Sequence, residues 1–304
     1  MMLVVLFCLL IVCFILGMTW MRIGLYNLSG KQLKGWMHSF TASPLKGMAA
    51  GTVATGILHS SSAVMVMTVG FVSAGILTFP QSIGIILGTN IGTTFTLEFI
   101  SFPIDAFIIP SIIAGACLLA MKQPKLKSLG WVLVGLGMIF TAMRGFEWLA
   151  QPLFGYKFVQ SGFSLMNRHL LYSMLFGIIL TAIVQSSTAT TGMMMSFLQA
   201  GIVPLESGIA FMIGANIGTC ITGLIAAVGA NKEAKRTAYA HIWLNVGGAI
   251  LFYPMIHLLG EISSSFTTTP SMQLAHASVI YNLVCSLLVL PFAEKFGRLI
   301  MKVH

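Results

Sequence analysis

Charged side chains are scarce in this sequence. Only 8% of its 304 residues are Asp, Glu, Lys or Arg, whereas 57% are hydrophobic, and the mean hydropathy is +0.94. This composition excludes an ordinary soluble globular domain. Several apolar runs of about 18 to 22 residues are long enough to cross ~30 Å of hydrocarbon as helices, and the alternating pattern of membrane barrel strands is absent. We therefore predict an all-α, polytopic membrane protein without a soluble domain.

Three further absences narrow the chemistry. Residues 1–20 carry no charge, so the basic start of a cleaved signal peptide is missing and a retained membrane helix is predicted. The five cysteines show no metal-ligand spacing, and we expect them to be small core residues. None of the seven acidic residues falls at the centre of a predicted span, which favours sodium over proton coupling. We predict no cofactor, no enzyme activity and no nucleic-acid partner, and leave a homodimer in the lipid bilayer open.

An internal repeat with an offset of 126 residues organises the chain. Residues 47–100 align without gaps on residues 173–226, and the identities concentrate in two motifs. The first is HSSSA (His59 to Ala63) against QSSTA (Gln185 to Ala189), and the second is GTNIGTTFT (Gly88 to Thr96) against GANIGTCIT (Gly214 to Thr222). The chain therefore contains two copies of one hydrophobic unit.

Each Ser motif interrupts a long apolar stretch. Non-helical backbone at membrane depth survives where it is buried in protein or lines a wet cavity. We therefore predict re-entrant helical hairpins over about 48–75 and 170–201, with the motif at each tip, and keep a straight-through helix as the alternative.

The basic residues test the orientation of the two copies. Three predicted spans, at about 82–100, 104–121 and 129–149, separate the hairpins, which makes the repeats inverted. In that topology most of the sixteen Lys and Arg residues share one side, including Arg22, Lys31, Lys34 and Lys46. The positive-inside rule then places the amino terminus outside and the carboxyl terminus in the cytoplasm. The predicted units are a first inverted repeat (1–128), a second (129–259), and a final membrane helix with a cytoplasmic tail (260–304).

Broken helices at equivalent places in two repeats indicate a transporter site near the midplane. Half-helix N-termini and hydroxyl donors suit an oxyanion, whereas carbonyl, amide and hydroxyl oxygens suit sodium. A single Ser in a membrane helix usually bonds its own backbone or a neighbouring helix. Runs of such residues at equivalent positions favour the functional interpretation, and the predicted substrate site contains Ser60, Ser61, Ser62, Ser186, Ser187 and Thr188, with Gln185 as an ion ligand.

The second motif has two readings. Gly on both sides of an Asn permits an unwound turn in which the Asn offers an oxygen to a cation, so sodium-binding roles are predicted for Asn90, Thr93, Asn216 and Thr219. The same glycines have G-x-x-x-G spacing, which is typical of close helix packing. We expect structural roles for three other residues. His241 and Asn245 are expected to be interhelical hydrogen-bond partners, and Arg22 is expected to snorkel towards the interface.

The paired motifs HSSSAV, QSSTAT, GTNIGTT and GANIGTC resemble those of the type II sodium/phosphate cotransporter family and its bacterial relatives. The resemblance covers nearly the whole chain. It implies sodium-driven symport of inorganic phosphate, with the two Ser motifs meeting in inverted re-entrant hairpins. His59 stands where the family usually has Gln, so it is a candidate modifier of the coupled ion.

The predicted function is a sodium-coupled phosphate symporter of the plasma membrane (bacterial inner membrane) that works by alternating access. Three alternatives remain. The same scaffold could carry another oxyanion or small solute, the protein could be an ion channel, and His59 beside Ser60 suggests an intramembrane serine hydrolase. The last is disfavoured because adjacent helical residues do not face each other.

Overall fold

The computed structural model of the protein describes residues 2–39, 43–102 and 105–304; of residues 30–39 and Asp105 it describes the backbone alone. Lys31 and Lys34 thus lie outside the described side chains. Within the described ranges the chain is helical and contains no strand. The α-helices in chain order are α1 (Met2–Ser39), α2 (Pro44–Leu58), α3 (Ser61–Ser73), α4 (Phe79–Ser101), α5 (Ile108–Leu119), α6 (Pro124–Phe154), α7 (Lys157–Arg168), α8 (Leu170–Val184), α9 (Ser187–Gln199), α10 (Leu205–Ala226), α11 (Lys232–Phe252), α12 (Ile256–Phe266), α13 (Pro270–Val289) and α14 (Ala293–Val303).

Six helical segments of the described chain are long and apolar enough to cross a membrane, which confirms the all-α, polytopic class. They are Met2–Ser29, Phe79–Ser101, Pro124–Phe154, Leu205–Ala226, Lys232–Phe266 and Pro270–Val303.

One predicted span is shorter than expected. The apolar run at 104–121 forms only the 12-residue helix α5, preceded by a 3-10 turn at Asp105–Phe107. A helix of 12 residues rises about 18 Å, which is less than the thickness of the hydrocarbon core. The count of three full crossings between the hairpins is therefore not reproduced, and the inverted orientation of the repeats remains a prediction.

Both Ser motifs break a helix where the sequence predicts it. The first stretch is divided into α2 and α3 at His59 and Ser60, and the second into α8 and α9 at Gln185 and Ser186. The interpretation as one straight-through helix is therefore wrong for both stretches.

The two halves repeat the same helix contacts. A Cβ added to Gly51 of α2 would lie 2.4 Å from the carbonyl oxygen of Ile85, and one added to Gly177 of α8 would lie 2.1 Å from that of Phe211. Both pairs are related by the 126-residue offset. Glycine is needed here because the backbones of the first hairpin arm and of the following long helix touch.

Helices α1 and α6 run antiparallel. Gly17 contacts Gly135 and Met138, while Gly24, further along α1, contacts Ser128, which lies earlier in α6. As the residue number increases along α1, the number of the contacted residue in α6 decreases, so the two helices have opposite directions. Helix α1 precedes the first broken stretch, and α6 precedes the second, separated from it only by the short α7. The helices that lead into the two broken stretches therefore point in opposite directions.

The long helices α4 and α10 are also opposed. Ser82 hydrogen-bonds Thr237 and Asn90 hydrogen-bonds Asn245, and the constant separation of 155 residues means that α4 and α11 are parallel. Helix α11 turns back along α10, because Gly223 approaches His241 whereas Cys220, earlier in α10, contacts Asn245, later in α11. Hence α10 runs antiparallel to α4, its equivalent in the repeat.

The largest cluster of buried apolar residues lies where α1, α6, α9, α10 and α13 meet. The expectation that the cysteines are core residues is correct for Cys220 and Cys285, which are buried, but wrong for Cys8 and Cys117, which are exposed on apolar helices.

Candidate substrate and ion site at the paired helix breaks

The breaks share one backbone geometry. His59 and Gln185 have φ values of 46° and 58°, and they are the only non-glycine residues with positive φ in the described chain. The left-handed conformation costs a residue with a Cβ about 1–2 kcal/mol, and such strain tends to persist at functional sites. These two residues occupy equivalent positions of the repeat, so the fold adopts the same unfavourable conformation twice.

Each break is followed at once by a capped helix. The Ser60 hydroxyl accepts a hydrogen bond from the Ala63 backbone N–H at 3.1 Å, and the Ser186 hydroxyl accepts one from Ala189 at 3.3 Å. These are N-cap interactions that fix the start of α3 and α9. Ser60 and Ser186 therefore stabilise the helix starts. The sequence predicted a substrate contact for these two residues and did not predict this capping role.

The two breaks meet. The Ser62 hydroxyl of the first lies 3.5 Å from the Gln185 carbonyl oxygen of the second, at the long limit of a hydrogen bond. The surrounding helices also contact the other half, because α3 packs against α10 as well as α4, and α9 packs against α4 as well as α10. Residues 123 positions apart in the chain thus belong to one site.

Three hydroxyls at this site have no protein partner within the described chain. The side chains of Ser61, Ser187 and Thr188 make no hydrogen bond there, although each residue is largely buried, with exposed fractions of 9%, 5% and 5%. These hydroxyls are not among the fully buried side-chain atoms without a partner, so a solute can reach them. Backbone N–H groups at the start of α3 and α9 lie beside them, and ligand binding by the three residues stays a prediction.

The breaks differ at their first residue. His59 Nδ1 lies 2.9 Å from the hydroxyl of Thr96. The equivalent Thr222 has a buried hydroxyl without a partner in the described chain, and the side chain of Gln185 is exposed and makes no hydrogen bond there. At the first break the His59 side chain is therefore hydrogen-bonded within its own half. At the second break the Gln185 amide and the Thr222 hydroxyl have no partner in the described chain.

The glycines of the second motif serve close packing. Helices α4 and α10 are continuous through it, so the unwound turn considered for this motif is wrong. A Cβ added to Gly88 would lie 2.1 Å from the carbonyl oxygen of Met48, and one added to Gly214 would lie 2.0 Å from that of Met174.

The asparagines of the second motif bind a neighbouring asparagine. Asn90 donates to the Asn245 side-chain oxygen at 3.3 Å, and Asn216 donates to that of Asn282 at 3.2 Å. The interhelical role expected for Asn245 is confirmed. The same expectation is wrong for the His241 side chain, whose buried Nδ1 has no hydrogen-bond partner in the described chain. The side-chain oxygens of Asn90 and Asn216 accept no hydrogen bond from the described residues.

Thr93 and Thr219 are tied to their own helices. Their hydroxyls donate to the carbonyls of Thr89 and Ala215, at 2.8 Å and 3.0 Å. The oxygens keep lone pairs for a cation, but among the described residues no hydrogen bond joins either side chain to the two breaks. The structure thus joins the Ser motifs directly and leaves the second motif as a neighbouring polar layer.

Arg22, Thr96 and Thr222 were missed by the sequence reasoning. The Nε–H of Arg22 donates to the His59 carbonyl at 3.2 Å, so this side chain points to the first break and does not snorkel away from it. Thr96 and Thr222 could have been found, because they are a pair of identical residues at the end of the second motif.

A multi-pass helical protein whose two halves each contribute a broken helix to one polar site belongs to the architectural class of secondary transporters. The comparisons are more specific. The family model described as Na+/Pi-cotransporter matches residues 13–147 and again residues 150–281. The chain therefore belongs to the Na+/Pi-cotransporter family, a family of phosphate-transport proteins and not of enzymes, and the sequence resemblance is confirmed.

Individual relatives agree with this membership. The chain is 40% identical over 300 residues to YqeW of Bacillus subtilis, covering 99% of this chain and 98% of that protein. It is 26% identical over 278 residues to the "Putative inorganic phosphate export protein YjbB" of Escherichia coli, covering 91% and 51%. It is 28% identical over 131 residues to the "Sodium-dependent phosphate transport protein 2A" of Oryctolagus cuniculus, covering 39% and 19%. The chain spans about half the length of YjbB. No solved structure matches it.

Proposed function

We propose that this protein is a sodium-coupled symporter of inorganic phosphate that works by alternating access in the plasma membrane. The observation that carries the proposal is the contact between the two helix breaks, with unpartnered hydroxyls at the start of α3 and α9. Family membership supports phosphate as the substrate, and the relative named for sodium-dependent phosphate transport supports sodium as the coupling ion.

The proposed phosphate cradle consists of the Ser61, Ser187 and Thr188 hydroxyls and the free N–H groups of the two helix starts. Both helices direct their positive ends to this region, which favours an anion. Ser62 approaches the second break and links the two parts. Ser60 and Ser186 hold the cap geometry, so their contribution to binding is indirect.

The proposed sodium ligands are the Gln185 amide oxygen and the side-chain oxygens of Asn90, Asn216, Thr93 and Thr219, to which the structure suggests adding the unpartnered Thr222 hydroxyl. Neutral oxygens without competing hydrogen bonds suit a hard monovalent cation. A bound cation also offsets the cost of placing a divalent anion in a low-dielectric site. This is the physical basis proposed for coupling.

Alternating access is proposed to follow from inverted repeats. The antiparallel directions of α1 against α6 and of α4 against α10 support inversion. The amino terminus is proposed to face outwards and the carboxyl terminus the cytoplasm. The combined gradients of sodium and phosphate determine the direction in which a symporter works. The same mechanism can therefore give uptake or the export named for YjbB. The direction in the cell must be measured.

The test is sodium-jump uptake of radiolabelled phosphate by proteoliposomes. We expect saturable uptake that collapses when the sodium gradient is removed and resists excess sulfate. Equal uptake with and without sodium would contradict the coupling. Non-saturable flux would favour the channel, and strong competition by another oxyanion would change the substrate.

A further inference from the structure

Arg22 is a cation inside the apolar segment Met2–Ser29 of α1, and its side chain contacts the first helix break. Ionisable residues within membrane segments are energetically costly and usually mark a substrate or ion pathway.

Arg22 has no acidic partner among the described residues. The described carboxylates that form ion pairs do so elsewhere: Glu98 with His276, Glu147 with Arg144, Glu206 with His257 and Glu233 with Arg236. The bond from Nε to the His59 carbonyl is the one hydrogen bond that Arg22 makes in the described chain. The guanidinium group has five N–H donors, so most of its donor capacity and its charge remain unmatched.

A cavity of about 320 Å³ adjoins this unmatched charge. Arg22, Tyr26, Asn27 and Ser60 are among the residues that line it, and its exposed wall is mostly apolar, with Leu58 and Met67. Small-ligand sites are commonly apolar with a small number of polar or charged groups at fixed positions. Ser60 belongs to the first break itself, so the cavity lies beside the residue that precedes Ser61 of the proposed cradle.

We propose that Arg22 is a phosphate-binding residue, which holds the anion in this cavity before or while it reaches the cradle. The proposal deepens the proposed function and rests on it. The planar guanidinium fork matches phosphate oxygens, and charge-assisted hydrogen bonds of this kind are about twice as strong as neutral ones. Bound phosphate would also supply the countercharge that the described protein does not.

Two substitutions separate the charge of Arg22 from its hydrogen bond to His59. Arg22→Gln keeps an N–H donor and loses the charge, whereas Arg22→Lys keeps both. If Arg22 only donates a hydrogen bond to the His59 carbonyl, the two variants should have the same half-saturating phosphate concentration. If it binds phosphate, we expect Arg22→Gln to raise the half-saturating phosphate concentration about tenfold or more. Arg22→Lys should fall between Arg22→Gln and wild type.

Sodium dependence provides the second readout. The half-saturating sodium concentration, measured at saturating phosphate, should change less than twofold in Arg22→Gln. Arg168→Gln is the matched control, since it removes an equal charge from an exposed position on α7 and should leave both constants unchanged. Detergent-solubilised variants are compared by thermal unfolding, and equilibrium binding of radiolabelled phosphate repeats the comparison without transport.

The outcomes distinguish the two proposals. If wild type neither binds nor transports phosphate, the proposed function fails. If wild type does both and Arg22→Gln matches it, the role of Arg22 alone is overturned, as it is if Gln and Lys variants are equally impaired. The experiment is run in phosphatidylcholine vesicles and again with an anionic phospholipid added. Loss of retained anionic lipid in Arg22→Gln, with unchanged inorganic phosphate binding, would assign the site to a lipid headgroup and overturn the proposal.

Discussion

Gln185 combines three properties at a single position. It has left-handed backbone geometry, its carbonyl oxygen is approached by Ser62 of the other half, and its exposed amide has no partner in the described chain. The sequence could predict its importance because it begins the second Ser motif. It could not predict the backbone strain or the unpartnered state, which depend on how the two halves pack.

Replacing Gln185 with Ala should raise the half-saturating sodium concentration at least several-fold, because a proposed cation ligand is lost. Gln160→Ala on α7 removes the same amide from an exposed position and should have no effect on uptake. The measurement is initial phosphate uptake against sodium concentration. Identical sodium curves for Gln185→Ala and wild type would remove Gln185 from the ion site.

The left-handed conformation at His59 can be tested through stability. A β-branched residue is especially unfavourable there, so His59→Val should lower the free energy of unfolding by about 1–2 kcal/mol. His59→Gln should be tolerated, since Gln occupies the equivalent position at φ 58°. His169→Val is the control, as His169 has an extended backbone with φ −143°. Equal thermal stability of the His59 and His169 variants would contradict the assigned geometry.

At the scale of helices, the glycines decide how closely the elements approach. The G-x-x-x-G spacing was one of two readings of the second motif, and the structure selects close packing because α4 and α10 are unbroken there. The local sequence pattern could not distinguish close packing from an unwound turn, because the carbonyl groups that exclude a Cβ belong to another helix. The same limit explains α5: hydrophobicity marked the run at 104–121 but not the turn that shortens its helix.

Gly88→Ala should destabilise the protein, because its Cβ would lie 2.1 Å from the Met48 carbonyl oxygen and one of the two helices must move. Gly70→Ala on α3 is the matched control, with no atom within 4 Å of the added Cβ. In a helix, the control substitution should be neutral or stabilising by up to about 1 kcal/mol. Melting temperatures in detergent provide the comparison. The helix contact would be refuted if Gly88→Ala melted no lower than Gly70→Ala.

At the scale of the whole molecule, the repeat is visible in sequence, in contacts and in the two matches of one family model. Sequence identity predicted two copies of one unit, and the Lys and Arg distribution predicted that they are inverted. The meeting of the two breaks could be expected from their equivalent positions in the repeat and from the resemblance. Its geometry depends on the contacts that α3 and α9 make with the long helix of the other half, which no local pattern encodes.

Alternating access requires the two breaks to move relative to each other. A Ser62→Cys and Gln185→Cys pair, made in a chain whose five native cysteines are replaced and assayed at saturating sodium, should be cross-linked by oxidation or by a short bifunctional thiol reagent, because the Ser62 hydroxyl lies 3.5 Å from the backbone carbonyl oxygen of residue 185. We expect the cross-link to stop phosphate uptake and reduction to restore it. A Ser62→Cys and Gln160→Cys pair is the control and should remain active. Undiminished uptake by fully cross-linked protein would show that the tips need not separate.

The central claim is that the two breaks together form one phosphate site that sodium completes. Equilibrium binding of radiolabelled phosphate to the purified protein, with sodium and with an impermeant organic cation in its place, tests it most directly. We predict saturable binding that sodium strengthens at least tenfold, and loss of that binding in both Ser61→Ala and Ser187→Ala. Phosphate binding that is indifferent to sodium, or that survives both substitutions, would contradict the account.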